Sequence, residues 1–363
     1  MPFGSLSVDK IENSDGFTLG GSGAAMKNRI INGAMVIDQR NAGASVTPTS
    51  GQYLVDRFKY VASQASKFTA QQNQGSVTPP IGFTNYQGLT VASAVSIGSA
   101  DYFLFQQMVE GYNMADLGWG TANAKTVTLS FWVRSSLTGT FGGSLANNAF
   151  DYSYPFTYTI NAANTFEYKT IEIEGATSGT WLSTNGIGIQ VTFGLGSGST
   201  YSGTAGAWAA SGYQTATGAT SVVGTNGATF YITGVQLEVG STATSFDTRS
   251  YGTELALCQR YYQAFFGPVL TGIGNGSTNV NDIVVPLFVP LRASPTMGSC
   301  NGAAFTSSAF NSFTSQTPTV ATNSGTYTAT NQLRLNFSGV SGVTDNRIGS
   351  IRIDTNLTIS AEL

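Results

Sequence analysis

Histidine is absent from this chain of 363 residues. Without it the chain cannot form a Ser-His-Asp or Cys-His nucleophile, a histidine general base or a histidine-ligated metal site. Acidic and amide residues also lack the spacing of a dedicated calcium loop. We therefore predict a protein that is not an enzyme and that binds neither a metal ion nor a cofactor.

Charge is scarce as well. Charged residues make up 10% of the chain, against about 25% in an ordinary soluble domain. The 16 Lys and Arg residues are scattered singly and the net charge is −3, so a nucleic-acid partner is not expected. No secretory leader or apolar run long enough to span a bilayer is visible, which predicts no membrane insertion.

The two cysteines, Cys258 and Cys300, lie in different sequence contexts. We predict reduced thiols packed as small apolar groups rather than a disulfide.

Apolar residues are nevertheless abundant, at 41%, and the chain contains 44 glycines. This composition indicates a turn-rich, all-β protein with enough apolar surface for a sizeable core. The length favours two domains. We predict an attachment arm over residues 1–26, a β-sandwich of jelly-roll type over 27–250 and a second, smaller β-sandwich domain over 251–363.

Period-two alternation identifies the strands of the first domain. In the segment 126–134 every second residue is apolar, which places Trp132 and Arg134 together on the polar face. Ile187 to Leu195 alternates in the same way. Further strands are predicted at 35–40, 64–70, 89–95, 104–110, 152–160, 166–174 and around Tyr231. About nine strands suit a two-sheet sandwich of jelly-roll type.

The segment from Tyr231 to Tyr262 connects the two predicted domains. Its alternation changes phase at Gly234, which predicts a β-bulge. Thr253 followed by Glu254 predicts the start of a short helix. Beyond Arg260 the strand pattern resumes at 283–291, 325–329, 333–337, 348–353 and 357–361. Two prolines in the first of these predict an edge strand or pairing on one side only.

Several stretches resemble bacteriophage and prophage tail-fibre proteins. They are Asn28–Gly33, Asp38–Arg40, Thr128–Arg134, Thr233–Gly240, Cys258–Tyr262, Arg292–Thr296 and Ala361–Leu363. The strands around Trp132 and Val235 are also similar to the first and last strands of bacterial carbohydrate-binding jelly rolls. The resemblance implies a homotrimeric virion protein of the tail, attached to a phage tail or virion protein through the N-terminal arm and binding bacterial surface polysaccharide. Since no secretory leader is visible, we expect assembly in the host cytoplasm.

Exposed aromatic rings are the candidate glycan contacts, because sugars present flat C–H faces to such rings. The long loop 196–228 and the turn before Pro155 supply the candidates Tyr201, Trp208, Tyr213, Tyr152 and Tyr154. For Trp132 we predict a subunit contact.

Two other functions stay open. Glu172 and Glu174 share one strand face and could serve a polysaccharide depolymerase, since glycosidases pair two carboxyl groups. A solvated strand face accounts for them more simply. A purely structural virion protein without a ligand, such as a capsid-decorating or tail subunit, is the second alternative.

Overall fold

A computed structural model describes residues 26–266, 269–275, 279–297, 303–307, 314–316, 319–321, 332–338, 348–353 and 356–363, with side chains at 26–265, 286–296 and 357–363. The predicted attachment arm lies outside these residues except for Met26, as do Cys300 and the predicted strand at 325–329.

Two antiparallel five-stranded sheets face each other. Sheet A has the order β1 (Phe58–Ala62), β4 (Tyr102–Glu110), β9 (Ile187–Ser197), β6 (Gly139–Ala146) and β7 (Ser153–Ile160). Sheet B has the order β2 (Phe68–Gln72), β3 (Gln87–Val91), β12 (Thr229–Val239), β5 (Val127–Ser135) and β8 (Glu167–Ile173). A short parallel pair, β10 (Ser202–Gly203) and β11 (Thr215–Ala216), and 3-10 turns at Gln74–Ser76, Gly111–Asn113, Ala115–Leu117 and Ser199–Tyr201 complete this part.

The core lies between the two sheets and is rich in phenylalanine. Phe131 of sheet B meets Phe193 of sheet A edge to face at 5.0 Å, and Phe58 stacks on Phe105 within sheet A at 5.0 Å. Each fully buried ring of this kind contributes about 1.5–3 kcal/mol relative to an exposed one. The all-β sandwich of jelly-roll type predicted from alternation is confirmed.

Most strands predicted for the first sandwich coincide with observed ones, but one prediction is wrong and several observed strands were missed. The predicted strand at 35–40 is wrong, because residues 35–38 have no regular secondary structure and a turn follows at 39–43. The Asn32 side chain binds both backbone groups of Ile37, and Asn32 and Met35 adopt positive φ angles of 60° and 57°. Conversely, β1 and the glycine-containing β6 were not predicted.

The predicted bulge in β12 is present. The register of β12 against β5 shifts between Thr233 and Gln236, and Gly234 has a φ of +62°. Because the bulge inserts a residue, the apolar residues on both sides of it reach the same core. These are Phe230, Ile232, Val235 and Leu237.

Segment 28–33 supports β12 where its neighbour β3 ends. The Asn28 side-chain amide donates to the Val235 carbonyl at 3.0 Å and accepts from the Leu237 amide at 3.1 Å. The Val235 amide donates to the Gly33 carbonyl at 2.9 Å. These bonds satisfy backbone groups at the bulge that the β3 pairing does not reach.

The chain then enters helix α1 (Tyr251–Gln259). The N-cap is Ser250, whose hydroxyl accepts from the Thr253 amide, so the predicted start at Thr253 is wrong by one turn. The Glu254 carboxylate accepts instead from the Asn32 backbone and ion-pairs with Arg249. Cys258 is a buried free thiol, and burial raises its pKa, so it stays protonated at neutral pH.

In the described residues after α1 there are ten further strands. β13 (Tyr262–Phe266), β22 (Asn356–Ser360) and β16 (Thr296–Met297) form one antiparallel sheet. A second has the order β18 (Thr314–Gln316), β17 (Ala303–Ser307), β21 (Ile348–Ile353), β14 (Val269–Asn275), β15 (Asn279–Pro286), β20 (Gln332–Ser338) and β19 (Thr319–Ala321). β15 ends at Pro286, so the strand predicted at 283–291 is too long and Pro290 lies outside it. Among the described residues, the end of β15 from Ile283 to Pro286 pairs with β20 alone, in agreement with the predicted one-sided pairing.

A buried ionic junction connects the first sandwich to the segments around Tyr261 and Glu362. The Glu362 carboxylate binds Arg57 and, at 3.0 Å, Arg40. The Arg57 guanidinium lies 3.5 Å from the centroid of the Tyr261 ring. Glu110, 1% exposed, accepts from the Tyr261 hydroxyl at 2.6 Å and from Arg260 at 2.8 Å. Breaking one such buried pair typically costs about 3–5 kcal/mol.

Substitution of Gly33 tests how closely segment 28–33 packs on β12. A Cβ at this position would lie 2.1 Å from the Val235 carbonyl oxygen, so Gly33→Ala must displace backbone. We expect a loss of about 1–3 kcal/mol in the free energy of unfolding, measured by urea denaturation. The matched control is Gly252→Ala in α1, where a Cβ meets nothing within 4 Å. Equal stability of the two variants would contradict this account.

Candidate functional site

The outer face of sheet B carries an open groove centred on Trp132. Alternation along β5 points Trp132 away from the core, and strand pairing places Tyr168 of β8 directly beside it. Their rings lie 5.3 Å apart at 45°, and Tyr168 is 43% exposed. We call this surface the Trp132 groove; it has two compartments that share Trp132 and Ile81.

The first compartment has a volume of about 470 Å³. Its floor is Ser130, Trp132 and Gly234, and its walls are the loops 81–83 and 243–248 together with Tyr168. Phe83 and Phe246 join the two loops by an edge-to-face contact at 5.0 Å. Hydroxyl groups from Ser130, Thr244, Ser245 and Thr248 supply its hydrogen-bonding capacity.

The bulge makes room for these rings. A Cβ on Gly234 would lie 2.7 Å from Phe83 and 3.1 Å from Trp132. Its positive φ of 62° is a conformation that glycine adopts without strain. The backbone irregularity that aligns the core is therefore also the floor of the first compartment.

Buried Glu238 holds the wall at 243–248 in place. Its carboxylate accepts from the Thr244 amide at 2.8 Å and from the Thr244 hydroxyl at 2.6 Å. Gln236 donates to Glu238 and accepts from the Asp247 amide at 2.8 Å. Hydrogen bonds to a charged acceptor are among the stronger ones in proteins, which indicates a well-fixed wall.

The second compartment, of about 430 Å³, lies between the loop 77–81 and the connection 164–166. Tyr86 fixes the base of the first loop, because its hydroxyl donates to the Gln74 carbonyl and accepts from the Val77 amide at 2.9 Å. Ile81 at the loop tip is fully exposed, whereas Pro80 behind it is buried. The loop therefore presents an apolar side chain at the boundary between the compartments.

Arg134 is the one cation among the lining residues of the two compartments. Its Nε donates to the Asn164 carbonyl at 2.9 Å, and its guanidinium carbon lies 5.1 Å from the centroid of the Tyr231 ring. Asn164 has a φ of 59° and donates its amide to Ser135 at 2.7 Å. These contacts fix the orientation of the guanidinium.

Glu167 organises the connection that carries Asn164. Burial alone would raise the pKa of Glu167, but hydrogen bonds from Lys169 and from the backbone amides of Ala162 and Asn161 outweigh it and lower the pKa to about 2. The carboxylate is therefore charged at neutral pH and acts as a structural acceptor.

The lining of the groove is made of neutral and cationic groups. Aromatic faces, hydroxyls, backbone groups and one guanidinium line it, and none of its lining residues in the described part of the chain is a carboxylate or a thiol. Glu172 and Glu174 are exposed and line neither compartment.

Three of the predicted glycan contacts lie elsewhere, in one aromatic cluster. Trp208 stacks on Tyr152 at 5.5 Å and 7°, and Tyr154 meets its edge at 5.3 Å. Trp119 and Trp181 also contact Trp208, each at 5.4 Å. The Trp208 indole donates to the Glu174 carbonyl at 2.8 Å. These rings pack mainly against one another and against the edge of the core.

The structure does not bring the other two candidates into this cluster. Tyr201 packs edge to face on Tyr102 at 5.2 Å. Tyr213 lies over Gly203, where an added Cβ would be 2.2 Å from its ring. Both are half-buried.

Sequence reasoning missed most of the groove, although Trp132 was singled out. Alternation already places Arg134 on the same outer face as Trp132, and alternation along β8 could have identified Tyr168. The loops that form the walls leave a weaker signal: Ile81 and Phe83 are large apolar residues within a turn segment, Pro79 to Asn85.

No family model matches this sequence, and no curated protein matches it. Solved structures do match at low similarity. A tailspike domain of bacteriophage CBA120 is 13% identical with a TM-score of 0.33; the match covers 60% of this chain and 22% of that one. A putative sugar-binding protein of Bacteroides thetaiotaomicron is 11% identical with a TM-score of 0.34, covering 59% and 100%. A family 11 carbohydrate-binding module of Clostridium thermocellum is 11% identical with a TM-score of 0.26, covering 55% and 98%.

Within the described residues, no helix has both the length and the apolar character needed to cross a bilayer.

Glu167 gives a pH-dependent test of the groove's outer wall. Its folded pKa of about 2 is below the ordinary value, so the carboxylate stabilises the fold above about pH 4.3 and loses this effect as pH falls toward 2. We expect Glu167→Gln to lower the melting temperature at pH 7, and the difference from the unmodified chain to shrink by pH 3. Glu172→Gln, exposed on the same strand, is the control. Identical behaviour of the two variants at every pH would contradict the assignment.

Proposed function

We propose that this chain is a non-enzymatic structural component of a bacteriophage tail that binds bacterial surface polysaccharide in the Trp132 groove. The observation that carries the binding proposal is the partly exposed Trp132–Tyr168 pair between two compartments of about 470 and 430 Å³.

The chemistry of the groove suits a sugar chain. Pyranose rings have apolar C–H faces that stack on tryptophan and tyrosine, and their hydroxyls need hydrogen-bonding partners beside the ring. The Trp132 groove offers both, because Ser130, Thr244 and Thr248 line the same compartment as the indole. Its two compartments adjoin at Trp132 and are open to solvent, so an internal stretch of a polymer can occupy both.

The phage context comes from the sequence resemblance. It implies attachment to the virion through residues 1–26 and a homotrimer, and both belong to the proposal. The stretches behind the resemblance are also structurally connected: Asn28–Gly33 bonds to the β12 bulge, and Cys258–Tyr262 and Ala361–Leu363 meet at the ionic junction.

A second function has its own support. Ile81 is fully exposed and Tyr168 is 43% exposed, so an apolar patch surrounds Trp132. Exposed apolar patches also mark protein interfaces. In that case Trp132 would be the subunit contact expected from the sequence, and the chain would be a structural subunit without a ligand.

One variant separates the two functions. Trp132→Ala removes the stacking surface, so we expect the affinity of the labelled chain for host cells to fall about tenfold or more, while its mass in sedimentation stays unchanged. Host mutants stripped of surface polysaccharide should bind neither form. Tyr112→Ala is the control, because Tyr112 is a 60% exposed aromatic outside the groove.

The other outcomes are equally clear. A dissociated Trp132→Ala variant that still binds cells supports the subunit contact. Failure of the unmodified chain to bind cells overturns glycan binding. Release of reducing ends from host polysaccharide, lost in Glu172→Gln or Glu174→Gln, would show a depolymerase instead.

A further inference from the structure

We propose that the polysaccharide bound in the Trp132 groove is acidic, and that its anionic substituent binds to Arg134 in the second compartment. This inference rests on the proposed function, because it names the class of glycan that the same groove takes.

Protein contacts fix the orientation of the Arg134 guanidinium, but no carboxylate of the described residues forms an ion pair with it. Its Nε is used by the Asn164 carbonyl and one face lies against Tyr231. Within the described residues, neither terminal nitrogen of Arg134 has a hydrogen-bond partner. The edge formed by the two Nη atoms is the one that can bind a carboxylate or phosphate with two parallel hydrogen bonds.

Arg134 differs in this respect from most other arginines of the described part. Arg29, Arg40, Arg57, Arg249 and Arg260 each form an ion pair with a carboxylate. The carboxylate nearest to Arg134 in the strand register is Glu167, opposite Val133, and it is bound by Lys169 and two backbone amides. Arg134 pairs with no protein carboxylate among these residues, so its charge is available to a ligand.

The charge has a specific position in the groove. Trp132 and Arg134 are two residues apart on one strand, so their side chains leave the sheet about 7 Å from each other. The first compartment contains only neutral hydrogen-bonding groups. A sugar stacked on Trp132 would therefore place the anionic group of that sugar, or of its neighbour, against Arg134, and neutral units in the first compartment.

The overall charge argues against nonspecific attraction. The chain has a net charge of −3, so it repels polyanions weakly as a whole. Binding of an acidic polysaccharide must then depend on a local cation, which makes one substitution informative.

The test uses purified acidic and neutral bacterial surface polysaccharides as probes for the full chain. An acidic polysaccharide that binds is split into three samples: untreated, carboxyl-reduced so that uronates become neutral hexoses, and treated with hydrofluoric acid to remove phosphate. Affinities of the unmodified chain, Arg134→Gln and Trp132→Ala are measured for each. We expect one of the two treatments to weaken binding of the unmodified chain about tenfold or more.

The pattern across variants distinguishes the two proposals. Arg134→Gln should bind the untreated polysaccharide as weakly as the unmodified chain binds the polysaccharide without its anionic groups. Removing the anionic groups should not lower the affinity of Arg134→Gln any further. Trp132→Ala should lose binding to every sample. The proposal that the glycan is acidic is overturned if only neutral polysaccharides bind, or if Arg134→Gln leaves all affinities unchanged while Trp132→Ala abolishes binding. Glycan binding in the Trp132 groove is then still supported. If no polysaccharide binds, both proposals fail.

Discussion

The single extra residue at Gly234 is the constraint on which the rest of the first sandwich depends. It lets Phe230, Ile232, Val235 and Leu237 reach one core, although they alternate out of phase in the sequence. It leaves backbone groups unpaired, and Asn28 and Gly33 satisfy them. On the opposite face it opens the space that Phe83 and Trp132 occupy. The alignment of the core, the docking of segment 28–33 and the floor of the first compartment therefore all depend on the bulge at Gly234.

Segment 28–33, which bonds to the bulge, also links the groove side of the first sandwich to the ionic junction. The Asn32 side chain accepts a hydrogen bond from the Ile37 amide, and the Asn32 backbone amide donates to Glu254. Further along the chain, Arg40 and Arg57 bind Glu362. The arginines sit on tyrosine rings, Arg40 over Tyr262 and Arg57 over Tyr261. Their charges are thus paired and stacked rather than merely buried, which is the condition under which buried ions are tolerated.

Apolar alternation along the sequence was enough to predict the strands and the bulge. Alternation in β5, β9 and β12 and the phase change at Gly234 led to the sandwich and its bulge. The irregular backbone at 35–40 could not be predicted, because the Asn32 side chain binds both backbone groups of Ile37 and the Asp56 carboxylate accepts from the Gln39 amide, and these bonds override the alternation there. For the site, alternation placed Trp132 and Arg134 on the outer face, but the groove walls come from two loops, one held by Glu238 and the other by Tyr86. Trp208 was predicted as a loop contact, and its packing with Trp119 and Trp181 arises only from the tertiary fold.

The central claim is that sugars contact Trp132 rather than the aromatic cluster around Trp208. The chain has four tryptophans, so fluorine NMR of the protein labelled with 5-fluorotryptophan gives four assignable signals. On addition of oligosaccharides prepared from host surface polysaccharide, the account predicts that the Trp132 signal shifts while those of Trp119, Trp181 and Trp208 do not. A shift of Trp208 or Trp181 with Trp132 unchanged would contradict it.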